Sequence, residues 1–161
     1  MNCNSNFLEI LTNCYPDAYA DICGGNDYPN ICGRAYFYQF SVCGTLVKVE
    51  VGNLPLPSDS YFSAFYGMHI HENGNCTPPF DKTGDHFNPG SMPHPMHAGD
   101  MLALLGNKGY SFSIFYTERF IVDEILGRSI IIHRMPDDYM TQPSGNSGEK
   151  IACGVIQRFL P

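Results

Sequence analysis

Tryptophan is absent from this chain of 161 residues, and no apolar run approaches the roughly 20 residues that a helical membrane span needs. Positive charge is scarce. Nine Lys and Arg face sixteen Asp and Glu, for a formal charge of −7. General binding to nucleic acid or to an anionic membrane needs a basic surface, so both are excluded as expected partners. An anionic small molecule is not excluded, because a local field can oppose the net charge. Met1 to Asp21 holds no Lys or Arg, and its one apolar stretch, Phe7 to Leu11, is broken by Glu9. A signal peptide needs a basic start and a longer apolar segment, so the expected location is cytoplasmic. Long Ala/Leu/Glu/Lys-rich helical runs are missing as well. No CxxC pair occurs among the seven cysteines, which is poor zinc-finger spacing.

Enough apolar residues are present (43%) to build a core, and the length suits one domain. Sixteen Gly and twelve Pro supply many turns. With 13% aromatics, this composition favours an all-β domain of short strands. Thr45, Val47, Val49 and Val51 recur at period two, opposite Leu46, Lys48 and Glu50, as a sheet with one buried face requires. Further strand-like runs are Ala18–Cys23, Tyr36–Val42, Ala64–His71 (interrupted by Gly67), Phe112–Tyr116, Phe120–Ile125, Ser129–His133 and Ala152–Ile156. Two long Gly/Pro-rich segments separate them, from Glu72 to about Leu105 and from Arg134 to about Lys150. Loops of that length in a compact domain are usually functional or disordered. Residues 1–16 read as an N-terminal extension, a loose tail or a short helix, ahead of a domain spanning 17–161.

All six histidines fall between positions 69 and 133. His69 and His71 are two apart on a strand, so both rings leave the same face and can meet one metal. His86, His94, His97 and Asp100 place three imidazoles and one carboxylate within fifteen residues, a donor set that suits tetrahedral zinc. Pro89, Pro93 and Pro95 stiffen that loop. His133 closes the apolar strand Ile130-Ile131-Ile132.

In this order, the residues resemble copper/zinc superoxide dismutase. The matching segments are Met68-His69-Ile70-His71, Gly84-Asp85-His86-Phe87-Asn88-Pro89, His97-Ala98-Gly99-Asp100, Gly127 to His133, and Gly145-Asn146-Ser147-Gly148 leading to Ala152-Cys153-Gly154-Val155-Ile156. The similarity runs from about residue 18 to 157. It implies a Greek-key β-sandwich or flattened eight-stranded barrel whose two long loops form the metal site. It also implies copper on His69, His71, His86 and His133, and zinc on His86, His94, His97 and Asp100, with His86 shared. Asp137 matches an acid that bonds to ligands of both metals, and Cys76 and Cys153 match an intrasubunit disulfide. The implied reaction converts superoxide to O₂ and H₂O₂. Many relatives dimerise, so a homodimer is the assembly the resemblance suggests.

Several features depart from that family. Lys150 stands three residues before Cys153, where the family has an Arg that guides and docks superoxide; lysine keeps the charge but lacks the planar fork, so reduced activity is expected. His94 and His97 are only three apart, a short second half for the zinc loop, and the loop after Arg134 is abbreviated. Arg134 is a candidate source of positive potential at the site. Cys3, Cys14, Cys23, Cys32 and Cys43 are not family features; they read as small apolar residues, with copper capture or redox sensing as the alternative. The rival to catalysis is a zinc- or copper-holding structural homologue.

Overall fold

The computed structural model describes residues 7–41, 44–58 and 63–160; Cys3 and Cys43 lie outside them. The chain opens with a short helix α1 (Phe7–Asn13), followed by strands β1 (Ala18–Gly24), β2 (Cys32–Ser41) and β3 (Gly44–Gly52). The pairs β4 (Phe65–Tyr66) and β5 (Met68–His71) precede the first long loop. Then come β6 (Leu104–Leu105), β7 (Ser111–Thr117), a single helical turn α2 (Val122–Ile125), β8 (Ser129–His133), β9 (Lys150–Val155) and β10 (Gln157–Arg158).

One antiparallel sheet runs β5-β8-β9-β1-β2-β3-β7, with β10 also on β1, and β4 and β6 form a separate two-stranded ribbon. The sheet curls around one core. Val47, Val49 and Val51 of β3 meet Ile70 of β5, Ile130 and Ile132 of β8, and Ile151 of β9 in a single cluster. The alternation read in β3 holds: Thr45, Val47, Val49 and Val51 are fully buried, and Glu50 is exposed. On the opposite face, α1 sets Ile10 against Tyr38 and Leu46. That contact explains why Leu46, on the outward side of β3, is also buried.

Two expectations change, and the interruption read at Gly67 holds. Phe120–Ile125 does not extend as a strand; its last four residues make one turn of helix. Two side-chain acceptors, one local and one from β2, explain this. Glu124 Oε2 accepts the Ile121 N–H at 3.0 Å, and Gln39 Oε1 accepts the Val122 N–H at 2.8 Å. Both satisfy helix-end donors that a strand would have paired with a neighbour. Phe120, Val122 and Ile125 are buried, so a short apolar run was ambiguous between the two forms. Ala64–His71 divides at Gly67, whose N–H donates to Met135 at 2.8 Å and whose carbonyl accepts from His133 at 2.8 Å. β2 begins four residues earlier than expected, at Cys32.

The free edge of β5 is closed by the first long loop instead of by a strand. Ile70 N–H donates to Gly99 at 2.9 Å, and Phe87 N–H donates to Ile70 at 2.8 Å. Gly99 in turn donates to Phe87 at 2.8 Å. Such an edge left open would expose a row of unpaired groups. Gly99 is required at this crossing, because a Cβ there would lie 2.3 Å from the Ile70 carbonyl oxygen.

Candidate metal centre

Strand β5 turns Met68 and Ile70 into the core and His69 and His71 to the outer face, beneath the loops. The loop that closes its edge sets His86 against His71 and Asp100 against His69 as isolated bridges. His133 comes from the end of neighbouring β8. Folding therefore gathers two groups whose candidate ligand atoms lie within 4.8 Å of one another: His69, His71, His86 and His133, and His86, His94, His97 and Asp100. All seven residues are buried, and His86 belongs to both groups. The three-residue spacing of His94 and His97 does not prevent that convergence.

In four of the six rings one nitrogen is occupied by an acceptor, which fixes the tautomer. His69 Nε2 donates to Asp137 Oδ2 at 2.7 Å, and His94 Nε2 donates to Asp137 Oδ1 at 2.9 Å. His71 Nδ1 donates to the Gly84 carbonyl at 2.9 Å, and His133 Nδ1 donates to that of Gly148 at 3.1 Å. A carboxylate or carbonyl can only accept, so the other nitrogen of each ring carries a lone pair. Those lone pairs point inward. His71 Nε2 and His133 Nε2 face each other at 3.4 Å. His69 Nδ1, His94 Nδ1 and His86 Nε2 are buried without a hydrogen-bond partner. His86 Nδ1 meets Asp100 Oδ1 at 2.7 Å and faces His97 Nδ1 at 3.5 Å. Buried acceptors opposed to one another are costly, and a cation between them removes the cost. Four nitrogens suit copper, and three nitrogens with one carboxylate suit zinc, so the donor sets fit both.

Burial keeps three of the rings, His69, His71 and His133, neutral and so able to ligate. It lowers the pKa of His69 and His71, and it takes His133 down to about 3, with His69 nearby adding to the effect. Burial alone would raise Asp137, but hydrogen bonds from His69, the Tyr139 N–H and His94 outweigh it and hold that carboxyl at about 2. Asp137 is thus an ionised carboxylate spanning one residue of each group. Gly145 makes room for it: a Cβ there would lie 1.9 Å from Asp137 Oδ1, at a φ of +67°.

A cleft of about 400 Å³ opens onto the first group, lined by His71, His86, His133, Pro143, Ser144 and Lys150 among others. Lys150 Nζ donates to Thr83 Oγ1 at 2.8 Å and to the Gly84 carbonyl at 3.2 Å. Its pKa is lowered by partial burial, against Asp81 and Asp85. Arg134 does not reach this cleft: it is 3% exposed, and its guanidinium lies 5.8 Å from the Tyr66 ring centroid. The Cys76–Cys153 disulfide closes 77 residues of chain with Cα atoms 5.5 Å apart, and packs against Phe80 and Ile131. It ties the segment before Gly84 to β9, the strand that carries Lys150.

Sequence reasoning missed several groups that hold this centre. Gln142 clamps the two loops, accepting from the His94 N–H at 3.0 Å and donating to the His94 carbonyl at 2.6 Å. Arg119 donates to the carbonyls of Pro95 and His97 at 2.6 and 3.1 Å. Both act on backbone, and no local spacing signals that.

Comparison with known proteins agrees with the geometry. The family model for copper/zinc superoxide dismutase matches residues 31–156. A superoxide dismutase [Cu-Zn] of Deinococcus radiodurans is 38% identical, over 79% of this chain and 78% of that one. The superoxide dismutase-like protein YojM of Bacillus subtilis is 40% identical over 58% of this chain and 56% of its own. A crystal structure of the clock protein EA4 superposes with a TM-score of 0.73 at 26% identity, covering 89% of this chain and 96% of that one.

Proposed function

The chain belongs to the copper/zinc superoxide dismutase family, and on that premise we propose that it disproportionates superoxide. Two superoxide anions and two protons become O₂ and H₂O₂. One observation carries the reading: a single imidazole, His86, belongs to two complete four-ligand groups, with Nδ1 engaged beside Asp100 and His97 and Nε2 left as a buried lone pair. His69, His71, His86 and His133 would hold copper, and His86, His94, His97 and Asp100 would hold zinc. When bound, copper supplies a one-electron couple and zinc a fixed positive charge.

The residues do the rest. Lys150, at the cleft wall, attracts the anion by local field against a surface of net negative charge. The cleft gives a small anion access to His71 and His133, which line it, while both rings are themselves buried. His86 Nε2 is the atom placed to take up a proton and deliver it to the second superoxide, as it has no other hydrogen-bond partner. Asp137 fixes His69 and His94 in the tautomers that ligate.

The rival is a chain that holds metal without turnover. It is favoured by Lys150, whose ammonium spends two of its three donors on Thr83 and Gly84. Metal analysis and superoxide consumption decide between them. The catalytic reading expects about one copper and one zinc per chain, as the two ligand sets imply, with rapid consumption. A fully loaded chain that consumes superoxide no faster than buffer overturns it in favour of the rival.

A further inference from the structure

Cys23 of β1 stands directly opposite Cys32 of β2 in the antiparallel register, and both side chains are exposed on the outer face. The hydrogen-bond pattern tells which kind of pair they form. The Gly24 N–H donates to the Ile31 carbonyl at 2.9 Å, so the bond lies between the flanking residues and not between the cysteines. Cys23 and Cys32 therefore occupy the narrow type of position, where Cα atoms stand about 4.5 Å apart and side chains are closest. That separation falls within the range of roughly 4.4–6.8 Å that a disulfide spans. Asn53 Nδ2 donates toward Cys32 Sγ at 3.7 Å and is held by the Asn30 carbonyl at 2.8 Å.

We infer that Cys23 and Cys32 form a reversible dithiol–disulfide site on the surface of the sheet, exchanging electrons with low-molecular-weight disulfides and thiols. In the first step the Cys23 thiolate attacks one sulfur of a disulfide RSSR; a Cys23–SR bond forms and RS⁻ leaves. In the second step the Cys32 thiolate attacks the Cys23 sulfur; the Cys23–Cys32 bond forms and a second RS⁻ leaves. Two protein thiols are oxidised, one RSSR is reduced to two RSH, and the two thiol protons end on those products. Excess RSH reverses both steps.

The contrast with Cys76–Cys153 sets the direction of the effect. Cys153 also pairs with Cys23, on the far side of β1, yet it is only 2% exposed and its disulfide sits under Phe80. That bond closes 77 residues, whereas Cys23 and Cys32 are nine apart on one hairpin. A short loop gains less from closure, and an exposed disulfide is the more easily reduced. The surface pair therefore opens and closes under conditions that leave the buried bond intact.

The test is independent of dismutase activity. The full metal-loaded chain is equilibrated in glutathione buffers of rising oxidised fraction, alkylated, and mapped by peptide mass spectrometry. The expected result is loss of two alkylatable thiols, a Cys23–Cys32 peptide at an oxidised fraction that leaves Cys76–Cys153 unchanged, and recovery of both thiols on adding reduced glutathione. Cys23→Ser and Cys32→Ser should each accumulate a glutathione adduct on the remaining cysteine, because the resolving thiol is gone. The inference is overturned if no Cys23–Cys32 peptide forms at any ratio. It is equally overturned if either residue bonds instead to Cys3, Cys14, Cys43 or Cys153, or if wild type keeps the adducts as the variants do.

Discussion

The two ends of the curled sheet are made of similar strands put to different uses. On β3, inward valines alternate with outward Lys48 and Glu50, and water reaches the outer face beyond Leu46, which α1 covers. On β5 and β8 the alternation disappears, and every residue from Met68 to His71 and from Ser129 to His133 is buried. The two long loops cover that outer face, so its occupants cannot rely on water. They are apolar, as Ile131 is, or bonded to a carbonyl, as Ser129 is to Asn73, or histidines with one nitrogen on a fixed acceptor and the other turned toward a neighbouring ring or left without a partner. The first end can be stabilised by burial alone, whereas the second carries polar groups whose cost is met only by fixed acceptors and a cation. Stability and chemistry are thereby assigned to different regions of one small domain.

Breaking one ligand should separate the two roles most sharply. His133→Ala removes a nitrogen from the proposed copper group and leaves β8 paired with β5 and β9. Superoxide consumption should fall by more than the roughly 10–100-fold typical of residues that only orient ligands, while the core stays folded. Pulse radiolysis and circular dichroism on the same sample check both halves of the statement. The reciprocal change is Phe37→Ala, at a fully buried position among the core strands. Unfolding free energy should drop by about 3–5 kcal/mol, with metal content per folded chain unchanged. Loss of metal in Phe37→Ala at temperatures well below its unfolding would show that the two regions are not separable.

Asp137→Asn tests the link between the two metal groups. It removes the charge of a carboxylate that spans His69 and His94, and offers only one oxygen where two now accept. Metal retention against a chelator should weaken by about 10–100-fold, for both metals together. An effect confined to one metal would mean that the bridge is not what orients the other ring.

The same contrast explains what could be read from the chain. The β3 pattern was legible because period-two alternation reports a strand with one wet face. The histidines were legible because ligand types and their spacing survive in sequence. The supports behind them were not. Gly84 and Gly148 act through carbonyl oxygens, which every residue has, and Gln142 and Arg119 bind backbone across the loops. The turn of helix at Val122–Ile125 was hidden because Phe120, Val122 and Ile125 fit either period, and Glu124 and Gln39 decide the outcome from outside the apolar pattern. Arg134, a charge expected to serve the site, instead lies buried beside Tyr66, a destination that no local pattern indicates.

The smallest effect belongs to Lys150, which sits where the covered half of the sheet opens to solvent. Its Nζ is anchored to Thr83 and Gly84, so the charge is present but drawn to the cleft wall. Lys150→Arg keeps that charge and adds donors in a planar fork, so a guanidinium can hold the wall contacts and still present N–H groups to an anion. Consumption of superoxide should rise by about 2–5-fold, a modest gain because long-range attraction is unchanged. Lys150→Gln removes the attraction itself, and its rate should fall and lose most of its dependence on ionic strength. The pair of variants distinguishes docking from steering: a gain in Lys150→Arg that persists at high salt comes from contact, because screening weakens only the distant field. If both variants match wild type at every salt concentration, the anion reaches the buried histidines without help from this residue, and the cleft wall is structural there as it is at Thr83.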